Sequence, residues 1–262
     1  MGKLPANRDV RPGTVRALIL CGGAGTRLRS VLVDRPKSMA LIAGRPFLEL
    51  LLEKLRDQGI SDVILGTGYM AEKIERYFGS GKKLPMSIRF SRENEPLGTG
   101  GALKLAEPLI SDPILVINGD SYVEWCLLPM LELFRATDAA MVIALQAVAD
   151  VARYGSVRLD NDCRVSQFLE KNIGAGPGLI NAGVYLIRKQ IVHDLPAKTA
   201  ISLEREVFPR LLDRGVYGTV CTGPFIDIGI PDDLKRAQTM FDSQVSTSCE
   251  LAESKSPKTP GK

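Results

Sequence analysis

Residues 17–28 read ALILCGGAGTRL, a short apolar run that stops at a cluster of three glycines. Such a run is typical of a buried strand in a parallel sheet, which delivers the chain into a loop at its carboxyl end. Three glycines allow successive backbone N–H groups to face one concavity that suits phosphate oxygens. This stretch therefore predicts an α/β fold that opens with a strand near Val15 and continues into a phosphate-binding loop.

Strand and helix patterns alternate from this loop to residue 120. Helical spacing of apolar residues covers residues 46–56, 71–78 and 99–106, and strand patterns cover residues 62–67, 87–91 and 114–119. Strands that alternate with helices build a parallel sheet with helices on its faces. The first half of the chain is therefore predicted to hold a Rossmann-like, mostly parallel sheet flanked by helices.

The pattern changes in residues 121–241. A helix pattern and a strand pattern are followed by three strand-like runs with no helix between them, at residues 155–159, 165–170 and 180–187. Consecutive strands without crossover helices pair in antiparallel fashion. We therefore predict a small antiparallel lobe, followed by a helix near residues 203–212, two further strands and a helix that begins at Pro231.

The net charge of +4 and the pI of 8.8 come from the two ends of the chain. Residues 17–242 contain 27 basic and 27 acidic residues, so no basic stripe for a nucleic acid or a membrane surface is expected there. The first 16 residues lack an apolar signal segment, and no run approaches the roughly 18 apolar residues of a membrane span. These features predict a cytoplasmic protein, with no nucleic acid or membrane as its partner.

Composition also divides the chain into one domain and two ends. Residues 243–262 are rich in Ser, Lys and Pro and have no apolar period, which is typical of disorder. The five cysteines form no C-x-x-C pair, which favours free thiols in a reducing compartment. We predict a flexible N-terminal segment (residues 1–14), a domain (15–241) and a disordered tail (242–262).

Two basic residues accompany the glycine loop, and two common phosphate-binding motifs do not fit it. Arg27 lies within the loop, and Lys37 follows in the tetrapeptide Pro36-Lys37-Ser38-Met39. A dinucleotide-binding G-x-G-x-x-G motif would need a glycine in place of Leu28, and the Walker sequence G-x-x-x-x-G-K-[ST] does not occur. The positive charge beside the glycines still indicates a phosphate ligand.

The combination of GGAGTRL and PKSM resembles the first motif of the sugar-1-phosphate nucleotidyltransferases, enzymes that join a nucleoside triphosphate to a sugar 1-phosphate and release pyrophosphate. Further stretches resemble this family in the same order: PLGTGG (96–101), NGD (118–120), EK (170–171), NAG (181–183) and FIDIG (225–229). The resemblance implies the nucleotide-diphospho-sugar transferase fold. It also implies a nucleotide-binding half (15–120) and a sugar-binding half (121–241).

The resemblance implies roles for individual residues. Nucleotide binding is assigned to Leu20, Gly22, Gly23, Gly25, Thr26, Glu93, Pro96, Gly98 and Thr99. Sugar-phosphate binding is assigned to Gly155, Glu170, Lys171 and Asn181. The implied catalytic residues are Arg27, Lys37 and Asp120, and the implied metal ligands are Asp120 and Asp227.

The two aspartates are candidate ligands for Mg²⁺ as the cofactor. Asp120 follows the apolar run ILVI, so it is expected at the carboxyl end of a strand, where ligands of open α/β sheets collect. Asp227 stands between Ile226 and Ile228. One or two carboxylates together with substrate phosphates are the usual surroundings of Mg²⁺ in proteins.

The implied reaction needs no protein base. The second pKa of a phosphate monoester is about 6, so a sugar 1-phosphate is already a nucleophilic dianion at pH 7. Catalysis then requires in-line alignment with the α-phosphorus and positive charge for the leaving pyrophosphate. The single histidine, His193, lies outside every motif and is predicted to be structural.

The resemblance places Glu93 at the edge of the nucleotide base. A carboxylate only accepts hydrogen bonds, and guanine presents N1–H and its exocyclic amine side by side. Thymine N3–H lies between two carbonyls and prefers an amide partner. GTP is therefore the predicted nucleotide, and the alternative is that Glu93 is solvated while Glu95 or the backbone contacts the base.

Several stretches look specifically like the D-glycero-D-manno-heptose 1-phosphate guanylyltransferases, which prepare a heptose for bacterial capsule or surface-layer glycans. These stretches are residues 21–42, 95–103, 170–172, 179–187 and 225–238. The predicted substrates are therefore GTP and a heptose 1-phosphate. Two alternatives remain: a mannose-1-phosphate guanylyltransferase, and a catalytically silent regulatory paralogue that binds a nucleotide-sugar. The sequence leaves open whether the chain forms a homo-oligomer.

Overall fold

The computed structural model of the chain describes residues 11–28, 31–169 and 175–253, with side chains as far as Asp242. Its strands are β1 (Arg16–Leu20), β2 (Leu41–Ile42), β3 (Arg45–Pro46), β4 (Asp62–Thr67), β5 (Ser87–Arg92), β6 (Ile114–Asn118), β7 (Ser121–Val123), β8 (Met141–Val148), β9 (Ser156–Leu159), β10 (Val165–Leu169), β11 (Gly178–Ile187), β12 (Val216–Cys221) and β13 (Phe225–Asp227). Its α-helices are α1 (Phe47–Asp57), α2 (Ala71–Phe78), α3 (Gly98–Leu105), α4 (Leu127–Thr137), α5 (Lys189–His193), α6 (Phe208–Leu211) and α7 (Pro231–Glu253).

A mixed sheet, nine-stranded over the described residues, forms the centre of the protein. In it β5, β4, β1 and β6 are parallel neighbours in that order, and β11 continues the sheet antiparallel to β6. β8 pairs antiparallel with β11 and parallel with β12, while β9 and β10 extend the sheet from the first residues of β11. The predicted fold class is confirmed, and the antiparallel strands belong to the same sheet as the parallel ones.

Helices pack on both faces of the sheet because strand side chains alternate between its two sides. In β1, Ala17 and Ile19 belong to one hydrophobic cluster and Leu18 belongs to the other. The first cluster contains apolar residues of α1, α2, α4 and α7, and the second contains those of α3, α5 and α6. The strand is buried on both faces, which is why its sequence reads as a continuous apolar run.

The carboxyl ends of three central strands meet at one edge of the sheet. Leu20 at the end of β1 pairs in register with Gly66 of β4 and with Asn118 of β6. The glycine loop after Leu20 therefore lies beside the segment that follows Asn118. The two-stranded sheet of β7 and β13 places Asp227 opposite Ser121. Residues that are far apart in the sequence are thus brought to one place.

The helix predicted near residues 203–212 is divided into three short pieces: a π-helical turn (Leu203–Val207), α6 and a 3₁₀ turn (Leu212–Arg214). Pro209 lies at the start of α6. It has no N–H to donate to the carbonyl of Arg205, as a regular α-helix would require. The predicted helix is therefore present at these residues, but its hydrogen-bonding pattern changes along its length.

Helix α7 extends further than the sequence predicts. It runs to Glu253, so residues 242–253 are helical where a disordered tail is expected. These residues contain neither glycine nor proline, so none of them stops a helix that has already begun. Residues 1–10 and 254–262, predicted to be flexible and disordered, lie outside the described residues. Among the described helices, none is both long and apolar enough to cross a membrane.

Candidate active site

Three cavities with shared wall residues open at the carboxyl ends of β1, β4 and β6. We name them the loop cavity (about 220 Å³), lined by the glycine loop, the β5 cavity (about 630 Å³), lined by residues that directly follow β5, and the β9 cavity (about 580 Å³), lined by residues of β9. Asp120 lines all three. A carboxylate in this position can act on ligands in any of them.

The predicted residues line these cavities. The loop cavity is lined by Leu20, Gly23, Gly25, Thr26, Arg27 and Lys37. The β5 cavity is lined by Leu20, Gly22, Gly23, Glu93, Pro96, Gly98 and Thr99. The β9 cavity is lined by Arg27, Gly155, Asn181 and Asp227. Glu170 and Lys171 lie outside the described residues, although the preceding residue, Leu169, lines the β9 cavity.

The glycine loop closely approaches the segment of Lys37 at Gly25. The φ angle of Gly25 is +55°, and a Cβ atom there would lie 3.0 Å from the Cβ of Lys37. Glycine adopts this conformation without strain and leaves room for the lysine. The N–H of Leu28 closes the turn on the carbonyl of Gly25 at 2.9 Å. The third glycine of the motif therefore brings the loop and Lys37 together.

Lys37 lies between the two predicted metal ligands. Its Nζ is 2.7 Å from Asp120 Oδ2 and 3.8 Å from Asp227 Oδ1, and its side chain is 12% exposed. Burial, and then the nearby charge of Asp120, raises the pKa of Asp227, while Lys37 opposes the rise. Two carboxylates that repel each other in a partly buried place favour a cation between them.

The same two carboxylates fit a magnesium ion. The N–H of Ile228 donates to the carbonyl of Asp120 at 2.9 Å, which keeps the two aspartates next to each other. Asp227 Oδ1 accepts the N–H of Gly229 at 2.7 Å, which holds that carboxylate in place. Oxygen donors of this type and number are what Mg²⁺ takes from proteins that bind it together with phosphates.

Arg27 borders both the loop cavity and the β9 cavity. Within the described part of the chain its guanidinium forms no hydrogen bond or ion pair. A Cβ atom at Gly229 would lie 3.5 Å from Arg27 Nη2 and 2.9 Å from Asp227 Oδ1, so the arginine is close to the aspartate. A guanidinium with unused donors at the junction of two cavities suits a phosphate group.

Glu93 is packed into the wall of the β5 cavity. A Cβ atom at Gly22 would lie 2.6 Å from Glu93 Oε1, and one at Gly68 would lie 2.7 Å from it. Glu93 Oε2 accepts the N–H of Leu97 at 3.0 Å, and burial raises the pKa of the carboxyl group. The side chain is therefore not simply solvated, whereas Glu95, which also lines the β5 cavity, is exposed.

Four side chains form a hydrogen-bonded group between the β5 and β9 cavities. The hydroxyl of buried Tyr185 accepts Nδ2 of Asn181 at 2.9 Å and Nδ2 of Asn118 at 3.4 Å, and it donates to Glu204 Oε1 at 3.4 Å. Asn118 and Glu204 line both cavities. Tyr185 and Glu204 were not among the predicted site residues, because Tyr185 belongs to the apolar run that follows the NAG motif on β11 and Glu204 lies in a segment without a motif.

Glu204 also binds the side chain of Thr99. The hydroxyl of Thr99 donates to Glu204 Oε2 at 2.8 Å and accepts the N–H of Leu203 at 2.8 Å. The Thr99 side chain is thus engaged within the protein. A nucleotide in the β5 cavity would therefore meet the backbone N–H groups of Gly98 and Thr99, which line it at the start of α3, whereas the N–H of Gly100 donates to the carbonyl of Ile201 at 2.8 Å.

Two residues of types that often act as a nucleophile or a base are excluded from that role. Burial raises the pKa of Cys21 to about 12, and the thiol donates to the carbonyl of Gly66 at 3.2 Å. His193 is exposed, lies 2.9 Å from Glu107 and borders none of the three cavities. The site is built from positioned charges and backbone donors.

Comparison with known proteins supports the same kind of site. A family model for nucleotidyl transferases matches residues 16–244. The chain is 41% identical to the D-glycero-alpha-D-manno-heptose 1-phosphate guanylyltransferase of Aneurinibacillus thermoaerophilus, over 86% of this chain and 97% of that protein. It is 39% identical to the mannose-1-phosphate guanylyltransferase of Mycobacterium tuberculosis, over 85% of this chain and 63% of that protein. The solved structure of HddC from Yersinia pseudotuberculosis complexed with GMP-PN is 40% identical with a TM-score of 0.77, over 87% of this chain and 99% of that chain.

Proposed function

The chain belongs to the nucleotidyl transferase family, and within it we propose a guanylyltransferase that makes GDP-D-glycero-D-manno-heptose and pyrophosphate from GTP and D-glycero-D-manno-heptose 1-phosphate. The observation that carries this proposal is the position of Asp120 at the junction of three cavities. One cavity borders a glycine loop that suits phosphates, one holds a carboxylate that suits guanine, and one has a polar wall that suits a sugar. The reacting groups of two substrates can therefore meet beside Asp120.

The β5 and loop cavities together suit GTP. Glu93 is half-buried in the wall of the β5 cavity, with Oε1 beside Gly22 and Gly68. A carboxylate can accept both N1–H and the exocyclic amine of guanine. The backbone of the glycine loop and Arg27 supply donors for the triphosphate. The similar solved protein HddC, in its complex with GMP-PN, supports a guanine nucleotide as the donor.

The β9 cavity suits the sugar 1-phosphate. Gly155 and Asn181 border it together with the aromatic ring of Phe225, so apolar and polar faces of a sugar both find partners. Arg27 reaches this cavity from the phosphate side, and Lys171 is the proposed second cation for the sugar phosphate. The preference for heptose is supported by a heptose 1-phosphate guanylyltransferase that the chain matches over nearly that protein's whole length.

The proposed reaction is an in-line displacement at the α-phosphorus of GTP. A phosphate oxygen of the sugar 1-phosphate forms the new O–P bond, and the bond from the α-phosphorus to the bridging oxygen of pyrophosphate breaks. The attacking group is a dianion at pH 7, so no residue has to remove a proton. Arg27 and Lys37 stabilise the departing pyrophosphate, and Lys171 holds the attacking phosphate in line.

Mg²⁺ is the proposed cofactor, held by Asp120 and Asp227, and it supplies positive charge to the reacting phosphates when it is bound. Lys37 has three N–H donors, so it can keep its hydrogen bond to Asp120 and still donate to a phosphate. The resemblance to the heptose guanylyltransferases further suggests a cytoplasmic reaction whose product serves bacterial surface glycans.

The proposal is tested by measuring pyrophosphate release from GTP in the presence of Mg²⁺. We expect release when D-glycero-D-manno-heptose 1-phosphate is added, and none with GTP alone or after chelation of the metal. The absence of release with every sugar 1-phosphate tried would contradict the proposal. Release without any sugar phosphate would contradict it as well, because it would indicate hydrolysis instead of transfer.

A further inference from the structure

Arg153 lies in the loop between β8 and β9 (residues 149–155), which borders the β9 cavity. Its side chain connects this loop to the first turn of α7. Its Nη2 donates to Asp233 Oδ2 at 2.5 Å. The side chain of Asp233 is 4% exposed, and its Oδ1 accepts Nη1 of Arg236 at 3.0 Å. A buried carboxylate between two guanidinium groups has a well-defined position, because leaving it unpaired would be costly.

The residues that follow Arg153 border the β9 cavity. Tyr154 and Gly155 both line it, and the guanidinium of Arg153 lies 5.7 Å from the centre of the Tyr154 ring. That ring packs edge-to-face on Phe225, with centroids 5.9 Å apart and planes at 74°. Arg153 therefore contacts Tyr154, and Tyr154 in turn contacts Phe225 of β13.

β13 carries both the aromatic contact and a metal ligand. Phe225 and Asp227 are two residues apart on this strand, so their side chains point to the same face, and both line the β9 cavity. The next element along the chain is α7, which holds Asp233 near its start. The loop, the strand and the helix therefore form a closed set of contacts around one wall of the cavity.

The other described backbone hydrogen bonds of this loop stay within it or join it to Gly176. The N–H of Val151 donates to the carbonyl of Gly176, and the N–H of Tyr154 donates to the carbonyl of Val151. Asp150 Oδ1 accepts the N–H of Gly176. Among the described hydrogen bonds of residues 149–155, the one from Arg153 joins the loop to α7.

We propose that Arg153 is a positioning residue for the sugar 1-phosphate: by pairing with Asp233 and covering Tyr154, it holds Tyr154 and Gly155 at the wall of the β9 cavity. The identity of the substrate rests on the proposed function. The side chain of Arg153 is 53% exposed, and Asp233 keeps Arg236 when Arg153 is removed. Loss of Arg153 therefore changes the loop more than it changes the overall stability.

The kinetic test replaces Arg153 with alanine. We expect KM for the sugar 1-phosphate to rise by about tenfold or more and KM for GTP to stay within about twofold, because the β5 cavity is built from other segments. Arg153→Lys, which retains a charge that can reach Asp233, restores most of the lost affinity. A rise in both KM values together would contradict the proposal, since it would indicate general damage to the fold.

Arg236 provides the matched control. It pairs with the same carboxylate from within α7, and its described hydrogen bond does not reach the loop. Arg236→Ala should leave KM for the sugar 1-phosphate within about twofold of the original. An effect equal to that of Arg153→Ala would assign the role to the start of α7 and overturn the role of the loop contact.

Hydrogen–deuterium exchange gives a readout that does not depend on activity. Exchange of a peptide that covers residues 149–156 should be faster in Arg153→Ala than in the unchanged protein, and unaltered in Arg236→Ala. Unaltered exchange in Arg153→Ala would overturn the proposal, whatever the enzyme acts on. If the loop loosens as expected and the unchanged protein transfers no nucleotide, the proposed function fails while the positioning contact stands.

Discussion

The ammonium group of Lys37 lies 2.7 Å from Asp120 Oδ2, at the point where the three cavities meet. Lys37 belongs to a turn after the glycine loop and Asp120 follows β6, so the pair joins two segments that end at the same sheet edge. The lysine side chain is 12% exposed and the aspartate side chain 40%, so solvent and salt screen the pair only in part. The negative charge of Asp120 therefore acts on Lys37 and faces all three cavities.

Asp120→Asn should lower turnover by about 100-fold or more, the scale of losing a principal electrostatic stabiliser. The amide has nearly the same shape, but it removes a negative charge from the metal site and from the partner of Lys37. Steady-state rates of pyrophosphate release at saturating Mg²⁺ measure the effect. Asp232→Asn is the control, because Asp232 is largely exposed in the first turn of α7; a turnover of Asp120→Asn equal to that of this control would remove Asp120 from the site.

Glu93→Gln should weaken the preference for GTP over dTTP. Glutamine retains an oxygen that can accept the N–H of Leu97, so the segment from residue 93 to residue 97 keeps its shape. Its other terminal atom is an NH₂ donor, so glutamine cannot offer guanine the two acceptor oxygens of a carboxylate. The ratio of kcat/KM for the two nucleotides measures the change. Glu95→Gln, at an exposed neighbouring position, should leave the ratio unaltered; the reverse outcome would assign base recognition to Glu95.

The pH dependence of GTP binding should follow Glu93. Burial raises the pKa of this carboxyl group, so the folded protein binds the proton more tightly than the unfolded chain does. KM for GTP should rise as the pH falls through that raised pKa, because the protonated group presents a donor to guanine. Above it the buried charge lowers stability, so Glu93→Gln should melt no lower than the original protein at neutral pH. A KM that varies with pH equally in Glu93→Gln would contradict this assignment.

Gly22 and Gly23 are adjacent but should respond differently to alanine. A Cβ atom at Gly22 would lie 2.6 Å from Glu93 Oε1, whereas one at Gly23 would meet no atom within 4 Å. Gly22→Ala should therefore displace Glu93 and reduce selectivity for guanine. Gly23→Ala should leave the melting temperature within about 2 °C and raise KM for GTP by about tenfold or more, because the methyl group enters the space for the phosphates. Equal KM values for Gly23→Ala and the original protein would mean that the phosphates bind elsewhere.

Much of the site follows from short contiguous motifs. The glycine loop and the NGD segment each end a strand, and β1 pairs with β6 in the parallel sheet, so their convergence could be predicted. The contact of Arg153 with Asp233 joins residues 80 positions apart, and Tyr185 meets Glu204 through the packing of β11 on a π-helical turn. Neither contact has a local pattern, because each depends on how elements pack.

The length of α7 could not be predicted from the sequence, for a different reason. The polar composition after residue 242 is typical of disorder, yet a helix that starts in contact with the core can continue through residues that would not begin one. Apolar residues of α7, Ala237 and Phe241, pack into the hydrophobic cluster on one face of the sheet. The polar extension to Glu253 follows from that anchored start.

The most direct test of the account is a competition experiment analysed by the mass of the nucleotide-sugar formed. The protein is given equal concentrations of GTP, ATP, UTP, CTP and dTTP with equal concentrations of D-glycero-D-manno-heptose 1-phosphate and mannose 1-phosphate, together with Mg²⁺. We expect GDP-heptose as the main product, at several times the amount of GDP-mannose. A product with any other nucleoside, or GDP-mannose in excess of GDP-heptose, would contradict the assigned specificity, and the absence of any nucleotide-sugar would contradict the enzyme itself.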